Sequence, residues 1–395
     1  MLESIKRLCD FHVESPPPWG EDQVIQVPAK RGALLLAMQD GQPIVLLTAA
    51  DMRSKLRNRL REKDQGEIRS KMPDLGAVTG QAMGVLAASR FETDLDFLAL
   101  ARMIWPGSFA EMLAWKPAWF VHVNPKITYP RFSRTVNLSL PGMYVGPFES
   151  AVSTGRYVDA IVDAFDLCRD YRCLVRSPHA ARCVYGDMGR CPCPCDGSVS
   201  MDEYRRCVDE AIRFVAGSRG KLTERLQLEM KQASERMEFE NAAASKARLD
   251  KLALFEGPAW RFVRPIDRFQ FVLVQRSTSR RRLRVFLADR GEVLGGIELD
   301  FPLERTQIEA VLAQMRELSA RPAWAEIDVW NVGLISDYLY AAPLRAGLVW
   351  PWDAKLTADD LIRSIQGMEK ELTAARTAAD SPADSAADKP PHDKL

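Results

Sequence analysis

The first apolar runs of the chain are short and paired. GALLLAM (32–38) and PIVLLTA (43–49) flank Gln39-Asp40-Gly41-Gln42, and Asp-Gly between such runs predicts strand, tight turn, strand. In DMRSKLRNRLREK (51–63), Met52, Leu56 and Leu60 share one helical face, and Asp51 stands where it can cap the first turn. Two more helices are expected over 76–89 and 93–105, and WFVHV (119–123) reads as a strand. Residues 1–28, broken by Pro16, Pro17 and Pro18, are expected to be irregular. This first segment therefore reads as a small α/β domain.

Val158, Ile161, Val162 and Phe165 give 156–168 an amphipathic pattern. A Gly- and Pro-rich cysteine segment follows, then a helix over 202–215 that breaks at Gly217–Gly220. Leu222, Leu226, Met230, Ala233 and Met237 step by 4, 4, 3 and 4 along one stripe. The phase shifts at Glu238-Phe239, and Phe239, Ala242, Leu249 and Leu252 begin a second stripe, which predicts an αα-hairpin turning at 237–240. One face of such a hairpin must meet something, so Leu226, Met230, Ala233, Met237, Phe239, Ala242 and Leu249 are candidate partner contacts. FVLV (271–274), LRVFL (283–287) and VLGGIEL (293–299) alternate as strands, with a turn at Asp289-Arg290-Gly291. Ile308, Val311, Leu312 and Met315 set a helix over 304–318, and Ala325 to Val329 is expected to add a strand. From Thr373 onward the Ala, Asp, Pro and Lys composition predicts disorder. The fold class is α+β, with divisions expected at 1–125, 126–220, 221–256, 257–372 and 373–395.

A chain of 395 residues exceeds one core, and a hydrophobic fraction of 47% can fill several. No apolar run reaches the length of about eighteen residues that spans a membrane, and MLESIKRLCDFHVESPPP lacks a signal-peptide core. A soluble, cytoplasmic protein with no membrane partner is expected. The net charge of +1, from 54 basic and 53 acidic side chains, gives no bulk drive toward nucleic acid, so DNA contact would need a local patch. Arg276, Arg280, Arg281, Arg282 and Arg284 form the densest such cluster; the basic residues of 53–63, spaced by two, wrap around their helix.

Six of the eight cysteines fall between Cys168 and Cys195. Cytosolic thiols stay reduced, so the cluster reads as a metal site before it reads as disulfides. Cys173, Cys183, Cys191 and Cys195 follow C-x9-C-x7-C-x3-C, with Cys168 and Cys193 as further candidates. The run CPCPC (191–195) can be neither helix nor central strand. Four soft thiolates suit zinc or an iron–sulfur cluster, and composition does not choose between them. Arg172, Arg182 and Arg190 each precede a cysteine; they either offset thiolate charge or stand exposed.

CVYGDMGRCPCPCDG (183–197) and MDEYRRCVDEAIRFVAG (201–217) resemble the middle of the bacterial excinuclease subunit family UvrC. YVGPF (144–148) resembles that family's aromatic-x-Gly-Pro-aromatic element, and LQLEMKQASERMEFENAAASKARLDKL (226–252) resembles its UVR motif, the hairpin that docks on the UvrB helicase. Residues 268–318 resemble the segment after that motif, so the resemblance runs from about Gly32 to about Pro322. It implies an iron–sulfur cluster, of the 4Fe–4S type, on Cys173, Cys183, Cys191 and Cys195, with zinc as the alternative. The family's first cysteine is spaced differently, which makes Cys168 a substitute for Cys173. A UvrB-type helicase is the implied partner, and DNA a second.

The family's N-terminal domain is a GIY-YIG nuclease, whose tyrosine, arginine and glutamate activate water, hold phosphate and bind a divalent metal. The corresponding positions here fall on Leu34, Val45, Lys55 and Leu100, and no tyrosine precedes Tyr129. Lysine lacks the forked grip of a guanidinium. The family's second nuclease, an RNase H-like domain, needs two aspartates and a histidine; beyond His179 only His392 remains, so that site is expected to be missing. The resemblance implies a degenerate GIY-YIG-like domain, a cysteine-rich helical middle, a UVR hairpin, a truncated α/β region resembling the start of the RNase H-like domain, and a tail. The expected function is an excision-repair protein inactive as a nuclease. Two alternatives stand: a single-incision endonuclease whose site has drifted to residues such as Lys55, Glu92 or Asp94, and a UVR-motif regulator of a non-repair partner.

Overall fold

The computed structural model describes residues 2–60, 75–279, 281–320, 327–341, 347–353 and 355–379. The N-terminal stretch is not irregular. It forms α1 (Leu2–Leu8), β1 (Phe11–Glu14) and α2 (Glu21–Val24). The three prolines fall between these elements, and β1 satisfies its backbone along a sheet edge, Phe11 opposite Gly84. β2 (Gly32–Ala37) and β3 (Pro43–Ala49) make the expected hairpin; Gly41 takes φ 87° and Met38 N–H donates to Gln42 O at 2.8 Å. α3 (Met52–Leu60) buries Met52 and Leu56, and the Asp51 carboxylate accepts from Ser54 N–H at 3.0 Å. Residues 61–63 of the expected helix lie outside the described residues.

The helix expected over 76–89 is instead β4 (Gln81–Leu86), within an antiparallel sheet of order β1-β4-β2-β3. Ala, Met and Leu favour helix in isolation, but this run is hydrogen-bonded on both sides, and pairing overrides propensity. Gly84 is required there: a Cβ would lie 2.4 Å from Ala33 O. α4 (Arg90–Ile104), capped by Ser89, packs across this sheet, and α5 (Phe109–Met112) follows it.

A second sheet, of order β6-β5-β7-β8, contains β5 (Trp119–Val123), β6 (Ser133–Thr135), β7 (Met143–Phe148) and β8 (Arg264–Pro265). Around it lie α6 (Ala151–Ala164), the short α7 (Tyr171–Leu174) and α8 (Val184–Asp187), and α9 (Met201–Val215). Ser200 and Glu203 form a reciprocal cap at the start of α9. The break after it is confined to Gly217-Ser218, because Gly220 already lies inside α10 (Arg219–Glu235). α11 (Phe239–Ala253) completes the hairpin, with Met237 left-handed at φ 58°.

The third sheet, of order β11-β10-β9-β12, holds β9 (Gln270–Arg276), β10 (Arg282–Asp289), β11 (Glu292–Asp300) and β12 (Leu348–Pro351). Arg290 and Gly291, at φ 52° and 94°, make the tight turn read from the sequence. α12 (Arg305–Ser319) buries Ile308, Val311, Leu312 and Met315. The strand expected at 325–329 is not formed at its described end: Val329 begins α13 (Val329–Leu339), because the Asp328 carboxylate caps Trp330 and Asn331 N–H at 3.0 and 3.2 Å. Residues 325–326 lie outside the described residues. α14 (Ala358–Ala379) carries helix through 373–379, where disorder was expected; 380–395 lie outside the described residues. Among the described residues no helix is long and apolar enough to cross a membrane.

One core joins the first and third sheets. Phe91 lies edge-on to Phe286 and Tyr338, with centroids 5.0 and 4.9 Å apart, and Phe91 N–H donates to Gln275 Oε1 at 2.9 Å. Arg102 grips Asp328 through two bonds of 2.6 and 2.7 Å. A second core gathers Tyr157, Phe214 and Phe255, with Trp260 packed against it; it ties α6 and α9 to the base of the hairpin. Each fully buried aromatic contributes about 1.5–3 kcal/mol by leaving water.

Candidate metal centre

The cysteine segment is irregular but not loose. Asp170 caps α7, its carboxylate accepting from Arg172 N–H at 2.9 Å, and its carbonyl accepts from the Cys168 thiol at 3.3 Å. Cys183 sits at the start of α8. Between the two prolines of 191–195, Cys193 adopts a left-handed φ of 61°, which reverses the chain and leaves Cys191 and Cys195 both buried. Ala180 N–H donates to Cys195 O at 2.8 Å and ties that turn to the strand of chain before α8.

The thiols sense one another. Cys168 and Cys191 share a thiol–thiol hydrogen bond, which together with hydrogen bonds from Cys193 pulls Cys191 down to about 6 despite its burial; the same contact, with burial, drives Cys168 up. Burial raises Cys195, and the charges of Cys183, Asp196, Cys191 and Cys173 add to it. Burial, Asp170 and Cys183 raise Cys173. Cys168, Cys173, Cys183, Cys191 and Cys195 are thus one neighbourhood, whereas the Cys193 sulfur bonds Cys191 O at 3.3 Å and rests against Gly186. Among the described residues no three His, Cys, Asp or Glu side chains are grouped so that they could hold a metal ion. The donor chemistry fits a soft metal, but the thiols do not stand in a ligating arrangement.

Of the three flanking arginines, Arg182 is committed to Asp196 at 2.8 Å and Ser198 at 2.6 Å. Arg172 is exposed and 3.7 Å from Asp170. Arg190 is exposed too. Sequence reasoning missed Asp170 and Tyr204, whose hydroxyl accepts from Cys168 N–H at 3.4 Å. The register of Tyr204 on α9, which buries it, was a signal that could have found it.

At the positions that the sequence aligned with nuclease residues, Leu34 and Leu100 are buried in separate cores and Val45 packs against the core that holds Leu34. Lys55 is half-buried on α3. The drifted-site candidates are engaged elsewhere: Glu92 pairs with Arg284 and accepts from Ala88 N–H, and Asp94 accepts from Tyr338 Oη–H at 2.6 Å.

The hairpin divides its stripe. Leu226 and Ala233 are buried, Leu249 packs against the core that holds Leu226, and Met230 and Ala242 are half-buried. Met237 and Phe239, at the tip, are 76% and 69% exposed, as is Leu228 at 56%. Within the stripe, the accessible apolar residues are therefore those at the tip. In the arginine cluster, Arg282 pairs with Glu298 and Asp300, and Arg284 with Glu92 and Glu298. Arg281 is exposed, Arg276 is half-buried, and Arg280 lies outside the described residues. Intramolecular carboxylates thus neutralise at least Arg282 and Arg284.

Residues 118–214 match the family model of the UvrC/Cho excinuclease middle domain. The chain is 40% identical to UvrABC system protein C of Hyphomonas neptunium over 112 residues, 28% of this chain and 18% of that protein. It is 28% identical over 229 residues to the protein of the same name from Anaeromyxobacter dehalogenans, 57% and 32% of the two chains. With that of Moorella thermoacetica it shares 25% identity over 232 residues, 58% and 37%. The matched segments thus span between 18% and 37% of these relatives' lengths. No solved structure matches.

Proposed function

From the match of residues 118–214 to the UvrC/Cho excinuclease middle domain, we propose that this chain belongs to the UvrC family and serves nucleotide excision repair as a docking and DNA-contacting subunit without nuclease chemistry of its own. The observation that carries this reading is the joining of that middle domain, through one aromatic core, to a hairpin whose apolar tip is left in water. A rigid base and an exposed tip suit capture of a partner helix. The partner is a UvrB-type helicase, and Met237 and Phe239 are its contacts. The buried apolar residues Leu34 and Leu100 support the loss of GIY-YIG catalysis.

The thiol neighbourhood is where an iron–sulfur cluster, or zinc, would be held, by four of Cys168, Cys173, Cys183, Cys191 and Cys195. Such a group would cross-link the loop, a structural role. The chain's own contribution is to bury Cys191 and Cys195 and, by hydrogen bonds from Cys168 and Cys193, to favour the thiolate of Cys191.

Two measurements test the reading. Incubated with supercoiled plasmid and Mg²⁺ or Mn²⁺, the full chain leaves the DNA closed; metal-dependent nicking that Lys55→Ala abolishes would overturn it. In pull-down against a purified UvrB-type helicase, the full chain retains the helicase and Phe239→Ala does not. Failure of the unmodified chain to retain it favours a regulator of a different client.

A further inference from the structure

Beside the cysteines lies an open cavity of about 290 Å³, walled by Arg131, Arg169, Tyr171 and Tyr185, with Val158 and Val162 as its apolar part. The Arg131 guanidinium carbon lies 3.9 Å from the Tyr171 ring centroid, and that of Arg169 lies 5.4 Å from the Tyr185 centroid. A guanidinium resting on a phenol ring is a flat, positively charged plate of the kind on which a base stacks. Arg169 also pairs with Asp163, yet its buried Nε–H has no hydrogen-bond partner among the described residues. Asp159 is the carboxylate in the wall, and with Asp163 held by Arg169, Arg131 is the cation there with no carboxylate partner among the described residues.

A stacking plate, the Arg131 guanidinium and the spare Nε–H of Arg169 together select a ligand that is both planar and anionic. A nucleoside phosphate meets both demands. The volume is at the small end for ligand sites, which begin near ~300 Å³, so it admits a single nucleotide and excludes a base pair. We propose that this cavity receives one unstacked nucleotide of a single DNA strand, its phosphate on Arg131 and Arg169 and its base stacked on the guanidinium and tyrosine faces. The inference rests on the repair reading above and adds the form of DNA taken: unpaired.

The experiment is fluorescence anisotropy of a labelled oligothymidylate against the full chain and the variants Arg131→Ala, Tyr185→Leu and Arg172→Ala. Arg172 is exposed and outside the cavity, so it controls for bulk charge. Each cavity variant should weaken single-strand binding about tenfold while leaving duplex binding and the melting temperature unchanged, and Arg172→Ala should change little. No loss in either cavity variant, or equal loss in Arg172→Ala, overturns the proposal. If the chain binds no strand, calorimetry with thymidine monophosphate separates the two failures. Binding that Arg131→Ala abolishes overturns the strand, and the repair reading with it, but supports the nucleotide chemistry; no binding of either probe overturns both.

Discussion

Gly186 shows how tightly the cysteine loop is wound. A Cβ there would lie 2.3 Å from Cys193 Sγ and 2.9 Å from Arg182 Cγ. Gly186→Ala should therefore cost about 1–3 kcal/mol, read as a lowered melting temperature by circular dichroism. A second residue-scale expectation concerns the first ligand. Spacing put Cys173 in the set, but the thiol that touches Cys191 is Cys168. In protein purified without oxygen, Cys168→Ser should lose more bound iron or zinc by elemental analysis than Cys173→Ser; the reverse order would return the role to Cys173. The cysteines were legible because no other side chain has their chemistry. Which of them meet was not, because the Asp170 turn and the left-handed Cys193 set the path of the loop, and neither is a pattern of residue types.

The hairpin was legible as an element, since a phase shift between two apolar stripes is a local signal. Its division into a buried base and an exposed tip was not, because the base is covered by α6 and α9, which precede it in the chain. Leu226→Ala should destabilise the protein by about 2–5 kcal/mol in urea titration. Phe239→Ala should leave that titration unchanged within about 0.5 kcal/mol. Met237 combines exposure with a left-handed backbone, so Met237→Gly should stabilise the fold by about 1 kcal/mol while removing an apolar contact from the tip. β4 was misread for the converse reason: its composition suits a helix, and its partners on both edges lie far away in sequence.

Across the whole molecule, the first and third sheets share one interior, and a charged seam crosses their junction. Burial raises the Asp96 carboxyl from 3.8 to about 7, with Glu92 and Asp10 adding to the shift and Arg284 opposing it. The folded state thus holds this proton more tightly than the unfolded chain does. The associated stability is fully present below about pH 4 and is lost as pH rises toward 7. Asp96→Asn should be more stable than the parent at pH 8, by on the order of 1–3 kcal/mol, and should flatten the decline between pH 4 and 7 in denaturant midpoints. An Asp96→Asn variant with the same pH dependence as the parent between pH 4 and 7 would contradict the assignment.

What the sequence determined by itself was what neighbours in the chain decide: two β-hairpins with their Gly turns, the amphipathic helices, the αα-hairpin, and a thiol-rich segment that prolines keep from regular structure. The absence of tyrosine before Tyr129 was legible too, since a missing residue type is missing in any fold. Tertiary structure decided which strand completes each sheet, that segments 1–125 and 257–372 share a core, that two arginines of the basic cluster face carboxylates, and that arginines and tyrosines from separate elements meet in one cavity. These outcomes depend on contacts between residues far apart in the chain. Their energy comes from surface removed from water and backbone groups paired across strands, and no local pattern encodes which distant partner will supply it.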